Sequence, residues 1–432
     1  MALGPATATY FYDTYRFSWP SVGLQIVVDR LHEGRSQSGL LCELSISLMA
    51  PLATGLVREG NFNLSASATR TSWQRDLEKR VPVETYGIDW YDALEQVCTL
   101  SRRHWREGEP VLDLALVRPR LDEGYLLPPY VVTGAASGLF GDGGTGKSLI
   151  LLAGAVSIAT GLPLLGASPT AVGPVLFCDW EWEPEAHAER LNAICRGADI
   201  DVPAELIFYR HEVASIWEAA ATIRRRVAET EAIAVLADSL GYARGGEPES
   251  AELTLRTFEV FRSLGVPVWF ADHVAKHAED RRHSFGSVYT RNSARLMWRV
   301  DAAHEEGASR LALALVNTKS NRRYHRTRGL LVDLETDEDG RLVSVRFQDT
   351  DPASLPQLRS SLGRRDQVAS VLKGGALSVE DIVNTLQGEG THLTRTNVRY
   401  VLNANRHVFV QTYEGSRRGE PLWGLLSKGS DK

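Results

Sequence analysis

Gly141-Asp142-Gly143-Gly144-Thr145-Gly146-Lys147-Ser148 fits the phosphate-loop pattern G-x-x-x-x-G-K-[S/T], with an extra Gly143-Gly144 pair inside it. An apolar run ending at Phe140 precedes the octet, and Leu149 opens a long apolar stretch behind it, so a strand leads in and a helix leads out. Glycines let the backbone curl until consecutive N–H groups face phosphate oxygens, and a helix starting near Lys147 adds the positive end of its dipole. On this reading residues 141–149 bind ATP, the Lys147 ammonium reaches the β and γ phosphates, and the Ser148 hydroxyl ligates Mg²⁺.

Outward from the loop, residues 131–349 alternate strand and helix. Apolar runs end at Phe140, Trp180, Tyr209, Asp238 and Asp272, most of them separated by amphipathic stretches of helix length. That pattern predicts an α/β core on a mainly parallel sheet. One predicted helix carries Leu253, Phe258, Phe261 and Leu264 and stops at Gly265. Three strand-like segments, Arg310–Val316, Gly329–Leu334 and Leu342–Phe347, close the region, with Asp339-Gly340 as a hairpin turn. The run Ala232–Asp238 ends in an acid 91 residues after Lys147. A Mg²⁺–nucleotide site needs a carboxylate at the end of such a neighbouring buried strand, which makes Asp238 the second metal ligand beside Ser148.

Other charged side chains cluster at strand ends. The strand Val175–Trp180 runs into Glu181 and Glu183, either of which can orient the attacking water as a general base. Asp179, Glu181 and Glu183 lie within five residues, which equally describes a solvated acidic edge; Glu181 is favoured and Glu183 second. His273 and His277 have metal-ligand spacing, but no Glu stands between them and no third ligand is evident. Lys276, Arg281 and Arg282 form a basic segment that suits either a solvated run or contact with a polyanion. Lys319 and Arg322 end another strand, where fixed positive charge can stabilise a transferring phosphoryl group, in cis or across a subunit interface, or decorate a surface.

The flanking regions differ from the core. Residues 1–124 read as mixed α and β, with strands near Gly23–Asp29, Leu40–Leu48 and Asn61–Ala66 and a helix over Asp89–Glu107, and carry no legible chemistry. Pro119–Pro129, with three prolines, suits a linker, as does 351–363 with Pro352 and Pro356. Residues 364–432 give helices over Arg365–Lys373, Val379–Gln387 and Thr394–Asn403, then strands Val408–Thr412 and Pro421–Leu426, the order of a winged helix. Val398, Val401 and Leu402 face inward there, leaving Thr394, Arg395, Asn397 and Arg399 for phosphate and base-edge contacts, with Arg417 and Arg418 at the wing tip. Winged helices also grip protein partners.

Composition narrows the classes. With 432 residues, 43% hydrophobic and 24% charged, the chain is an ordinary globular protein of about three domains. Residues 359–432 are net +4 and the remainder net −10, which makes the C-terminal piece the anion-binding module. Four cysteines in no C-x-x-C pair argue against a disulfide framework or cysteine zinc cluster, and the N-terminus lacks a basic start with an apolar core, so a cytoplasmic location is expected. The uncharged stretch Leu149–Gly166 is broken by Ser157, Thr160, Gly161 and Pro163 and reads as a buried helix, with no membrane span.

Taken in order, these pieces resemble the RecA-like P-loop ATPases, and among them the RepA-like group of hexameric replicative helicases, over about residues 125–349. The resemblance rests on the 141–148 loop, Val175–Trp180 ending at Glu181 with Pro184 and Arg190-Leu191 following, Asp238 with Ser239, His273-x-x-Lys276, and Phe285-Gly286-Ser287 followed by Ala294-Arg295. It implies that Glu181 polarises the attacking water, that His273 senses the γ phosphate, and that Lys319 and Arg322 act as fingers into a neighbouring subunit. It further implies a homo-oligomer, a hexamer by analogy, acting on single-stranded or duplex DNA. The Trp180 and Trp182 flanks of Glu181 and the two added domains depart from the minimal helicase. They point to a specialised replication, plasmid or mobile-element ATPase, a nucleotide-switched DNA-binding regulator, or a subunit of a defence or transposition assembly.

Overall fold

The structure, a computed structural model, describes residues 3–34, 39–49, 55–108, 111–118, 124–181, 183–247, 250–274, 288–304, 309–321, 325–412 and 421–426. Its N-terminal part is a five-stranded antiparallel meander, β1 (Thr7–Phe11), β2 (Thr14–Trp19), β3 (Leu24–Glu33), β4 (Leu40–Leu48) and β5 (Gly55–Asn63), followed by α1 (Ser67–Arg80), α2 (Val83–Tyr86) and α3 (Trp90–Glu107). The expected strand Asn61–Ala66 ends at Asn63, and α1 was not foreseen, because only Trp73 and Leu77 of it are buried and its helical period is faint. α3 meets its expectation: Asp89 caps it by accepting from Asp92 N at 3.0 Å, and Leu94, Val97 and Cys98 pack into the meander.

The core begins with a short ribbon, β6 (Tyr125–Leu127) and β7 (Val131–Val132), then runs β8 (Ala136–Gly141), α4 (Lys147–Thr160), β9 (Val175–Asp179), α5 (Pro184–Gly197), β10 (Ile207–His211), α6 (Ile216–Thr230), β11 (Ala234–Asp238), α7 (Leu240–Ala243), α8 (Ala251–Ser263), β12 (Val268–His273), α9 (Val288–Ser293), β13 (Leu296–His304), β14 (Arg310–Ser320), β15 (Arg328–Thr336) and β16 (Leu342–Thr350). The strands form one nine-stranded sheet in the order β10-β9-β11-β12-β8-β13-β14-β15-β16. It is parallel from β10 to β13 and antiparallel from β13 to β16. Both faces of the parallel half are covered, α4 and α5 on one and α6 and α8 on the other, which is why Val175–Asp179 and Ala234–Asp238 are buried at every position. Gly154 allows α4 to lie against the sheet, since a Cβ there would fall 2.1 Å from the Trp269 ring of β12. The Pro119–Pro129 segment is not wholly a linker: Tyr125, Leu126 and Leu127 are buried in this core.

The meander docks on α6 through ion pairs. Arg224 meets Asp13 at 2.6 Å, Arg225 meets Glu59 at 2.5 Å and Arg16 meets Glu231 at 2.8 Å. The C-terminal part is α10 (Arg364–Leu372), α11 (Val379–Gly388), α12 (Arg395–Ala404) and the hairpin β17 (Phe409–Thr412) with β18 (Leu422–Leu425), to which Leu377 adds a bridge at Trp423. The three helices and the hairpin share a small core around Ile382, Leu386, Val398, Leu402 and Trp423. The 351–363 segment is folded rather than extended, into 3-10 turns at Pro352–Ser354 and Pro356–Ser361. All four cysteines are buried and unpaired, and among the described residues no helix is long and apolar enough to cross a membrane.

Candidate functional site

Four parallel strands end side by side and deliver the candidate residues to one edge. Register sets Asp238 of β11 opposite Asp179 of β9, and His273 of β12 opposite Gly141 of β8. Ligands of open α/β sheets bind at this carboxyl edge. From β8 the chain turns through Gly144 and Gly146, at φ +76° and +79°, a conformation that favours glycine, and Lys147 begins α4. A Cβ built on Gly143 or Gly144 meets nothing within 4 Å, so the inside of the loop is open. Thr145 Oγ1 donates to the Asp142 carbonyl at 2.9 Å and fixes the curl.

Lys147 is buried, and its Nζ donates to the carbonyls of Gly141 at 3.0 Å and Asp142 at 2.7 Å. Burial lowers its pKa, while Asp238, Glu181, Asp272 and Asp142 act to raise it. The ammonium is thus held by two backbone carbonyls among carboxylates. Ser148, in the first turn of α4, hydrogen-bonds Asp238. Burial pushes the Asp238 carboxyl up to about 6, the Ser148 bond opposes this, and nearby Glu181 and Asp179 add to it. Its Oδ2 is buried with no hydrogen-bond partner among the described residues. An orphaned carboxylate oxygen beside a serine hydroxyl and a phosphate loop is the donor set a hard divalent cation takes, so these residues fit Mg²⁺.

Glu181 leaves β9 and returns over the edge. Its Oε1 accepts from Ser239 Oγ and lies 3.4 Å from His273 Nε2. Burial raises its pKa, but the bonds from His273 and Ser239 outweigh it and the net shift is downward, so the carboxylate stays ionised. Glu183 is different: at the exposed N-cap position of α5 its carbonyl accepts from Ala186 N at 3.2 Å, and its side chain makes no hydrogen bond or ion pair among the described residues. The structure therefore brings Lys147, Ser148, Glu181, Asp238 and His273 together and leaves Glu183 outside.

Two features lay beyond sequence reasoning. Asp179, fully buried behind Glu181, accepts from Tyr209 OH at 3.0 Å, approaches His187 Nε2 at 3.1 Å, and receives the Glu181 backbone N–H at 3.3 Å. Arg244, directly after α7, is also fully buried; it pairs with Asp272 at 3.0 Å and donates to Thr290 at 2.9 Å. Apart from the local Glu181 bond, both sets join residues 8 to 46 positions apart, and no local pattern announces them.

Lys319, expected as a finger, is engaged within its own chain. Its Nζ donates to the carbonyls of Arg291 at 2.5 Å, Asn292 at 2.8 Å and Ala294 at 2.5 Å, so all three donors are spent at the C-terminal end of α9. In this chain Lys319 anchors α9 and does not reach outward. Arg322, Lys276, His277, Arg281, Arg282, Arg417 and Arg418 lie outside the described residues. In α12, Arg395 and Arg399 are exposed, Asn397 is half-buried, Arg395 pairs with Glu380, and Thr394 is occupied as the N-cap, accepting from Asn397 N at 3.2 Å.

Comparison with known proteins finds one family model and one solved structure similar to parts of the chain. Residues 113–279 match the AAA_25 family model, described as an AAA domain, and the match spans the phosphate loop, Glu181, Asp238 and His273. A crystal structure of a KaiC-like protein from the hyperthermophilic archaeon Pyrococcus horikoshii aligns at 16% identity and a TM-score of 0.36, covering 52% of this chain and 98% of that one. The centre of the chain is thus an α/β fold with a phosphate loop at the carboxyl edge of its parallel strands, similar over residues 113–279 to the AAA_25 domain.

Proposed function

We propose that the protein is a Mg²⁺-dependent ATPase whose turnover is coupled to nucleic acid held by its C-terminal domain. The observation that carries the ATPase part is the convergence of Lys147, the Ser239–Glu181–His273 network and the orphaned Asp238 oxygen on one loop. In this reading Lys147 leaves the Gly141 and Asp142 carbonyls for the β and γ phosphates. Glu181, held ionised by Ser239 and His273, accepts the proton of the attacking water, and His273 lies one hydrogen bond away to register the γ phosphate. Ser148 and Asp238 hold Mg²⁺, which neutralises developing phosphate charge when bound. Assembly into a ring, hexameric in the resemblance, belongs to the same reading, with Arg322 left as its candidate finger.

Asp238 gives this reading a direct test. A carboxyl raised to about 6 binds its proton more tightly in the folded chain than in the unfolded one. Nucleotide-free protein therefore loses stability as pH rises from about 4 through about 6, and the buried charge weighs on the fold above that range. Asp238→Asn is expected to raise the melting temperature of nucleotide-free protein at pH 7.5 by a few degrees and to remove the further rise that Mg²⁺ with ATP gives the wild type. A variant that keeps the full Mg²⁺-dependent rise excludes Asp238 from the cation site.

Support for the nucleic-acid part is the net charge of +4 over residues 359–432 and the exposed Arg395 and Arg399 on α12, whose other face carries Val398, Val401 and Leu402 into the core. Arg399→Ala combined with Arg395→Ala is expected to weaken DNA binding about tenfold at low salt and to flatten its salt dependence. Unchanged affinity and salt slope, measured by fluorescence anisotropy, would assign α12 to a protein partner instead.

A further inference from the structure

The cavity at the phosphate loop, about 660 Å³, is not walled by the ATPase core alone: beside Gly141–Thr145 it is lined by Arg299, Asp301 and, from the turn leading into the C-terminal domain, Ser360 and Ser361. That volume suits a nucleotide-sized ligand. Its position in the sheet gives it a direction. Glu181, Asp238 and His273 follow strands β9, β11 and β12 on one side of β8, whereas Arg299 and Asp301 belong to β13 on the other. With the γ phosphate toward the first group, the nucleoside end of the same ligand points toward the second.

We propose that Ser360, Ser361 and the Arg299–Asp301 pair form the wall that receives the ribose and base, so that the turn 356–361 reports nucleotide occupancy to the C-terminal domain. The inference rests on the nucleotide reading of the loop and adds to it which residues meet the nucleoside. Asp301 is fixed for this task by Arg299, which donates to it at 2.8 and 2.7 Å through two parallel bonds, and a carboxylate so held can accept from ribose hydroxyls or an exocyclic amine. The turn is gripped from both sides. Leu358, 1% exposed, packs on Ala312 and Ala314 of β14. Gln367 of α10 donates to the carbonyls of Ser360 at 3.2 Å and Leu362 at 2.9 Å, and Arg359 pairs with Glu389, the C-cap residue of α11. A ligand that orders Ser360 and Ser361 orders the start of α10 with them, and by reciprocity whatever moves α10 and α11 changes nucleotide affinity.

The experiment titrates the full-length protein with ATP and, separately, with inorganic tripolyphosphate, which has the phosphates and no nucleoside. Ser361→Trp, which fills the wall, is expected to weaken ATP binding about tenfold or more while leaving tripolyphosphate within about twofold of wild type; Lys147→Ala is expected to lose both. Ser361→Trp with wild-type ATP affinity overturns the proposal and leaves the phosphate loop standing, whereas wild-type protein that binds neither ligand overturns the loop reading as well. In a second arm on the unmodified chain, ATP is expected to slow backbone amide exchange across residues 355–372 and tripolyphosphate is not. Equal exchange with and without ATP there overturns the link to the C-terminal domain.

Discussion

Lys147→Ala is expected to lower ATP turnover by about 10³-fold or more while leaving the protein folded. The side chain is the cation at the mouth of the loop, surrounded by Asp238, Glu181, Asp272 and Asp142, and its present partners are two backbone carbonyls. Removing it takes away the positive charge that meets the β and γ phosphates, and no packing of Ala restores a charge. Stability moves little, because the two lost bonds to carbonyls, about 1 kcal/mol each, are offset by removing an ammonium whose charge burial disfavours. Steady-state phosphate release with a thermal melt of the same sample reads both halves. Normal turnover by the variant would take the reaction away from this loop.

The second large effect separates two neighbouring acids. Glu181→Gln keeps the size of the side chain and its ability to bond Ser239, yet cannot accept the proton of water; kcat is expected to fall about 10²- to 10⁴-fold with nucleotide affinity retained. Glu183→Gln, at an exposed helix start, is expected to stay within about twofold. Because its bonds to His273 and Ser239 hold Glu181 below the usual carboxylate range, loss of kcat/KM in acid, which reports the free protein, is expected to follow Asp238, raised to about 6 there, ahead of Glu181. Rate profiles for the wild type and both variants between pH 5 and 8 decide the matter. A large loss in the Glu183 variant with none in the Glu181 variant reverses the assignment.

Much of this was legible in the order of residues, for physical reasons. Parallel strands buried on both faces must be continuous apolar runs, so β8, β9, β11 and β12 showed themselves, and the last three stop at Asp179, Asp238 and His273 on the carboxyl edge of the sheet. The loop was legible because its glycines and its lysine are required at fixed spacing. Whatever depends on distant partners was not. Asp179 looked like one of three interchangeable acids until Tyr209 and His187, 30 and 8 positions on, closed around it. Lys319 looked like a free cation because the α9 carbonyls it holds lie 25 to 28 positions earlier. The turn 356–361 reads as a polar linker, and only the packing of Leu358 on β14 brings its serines to the nucleotide cavity.

The measurement that bears most directly on the central claim is steady-state ATP hydrolysis by the full chain without polynucleotide, with single-stranded DNA and with duplex DNA, using Lys147→Ala as the blank. An ATPase coupled to nucleic acid is expected to hydrolyse ATP above the blank in the presence of Mg²⁺ and to turn over several-fold faster with at least one form of DNA. Rates that match the blank contradict the ATPase assignment, and rates above the blank that are the same in all three conditions contradict the coupling.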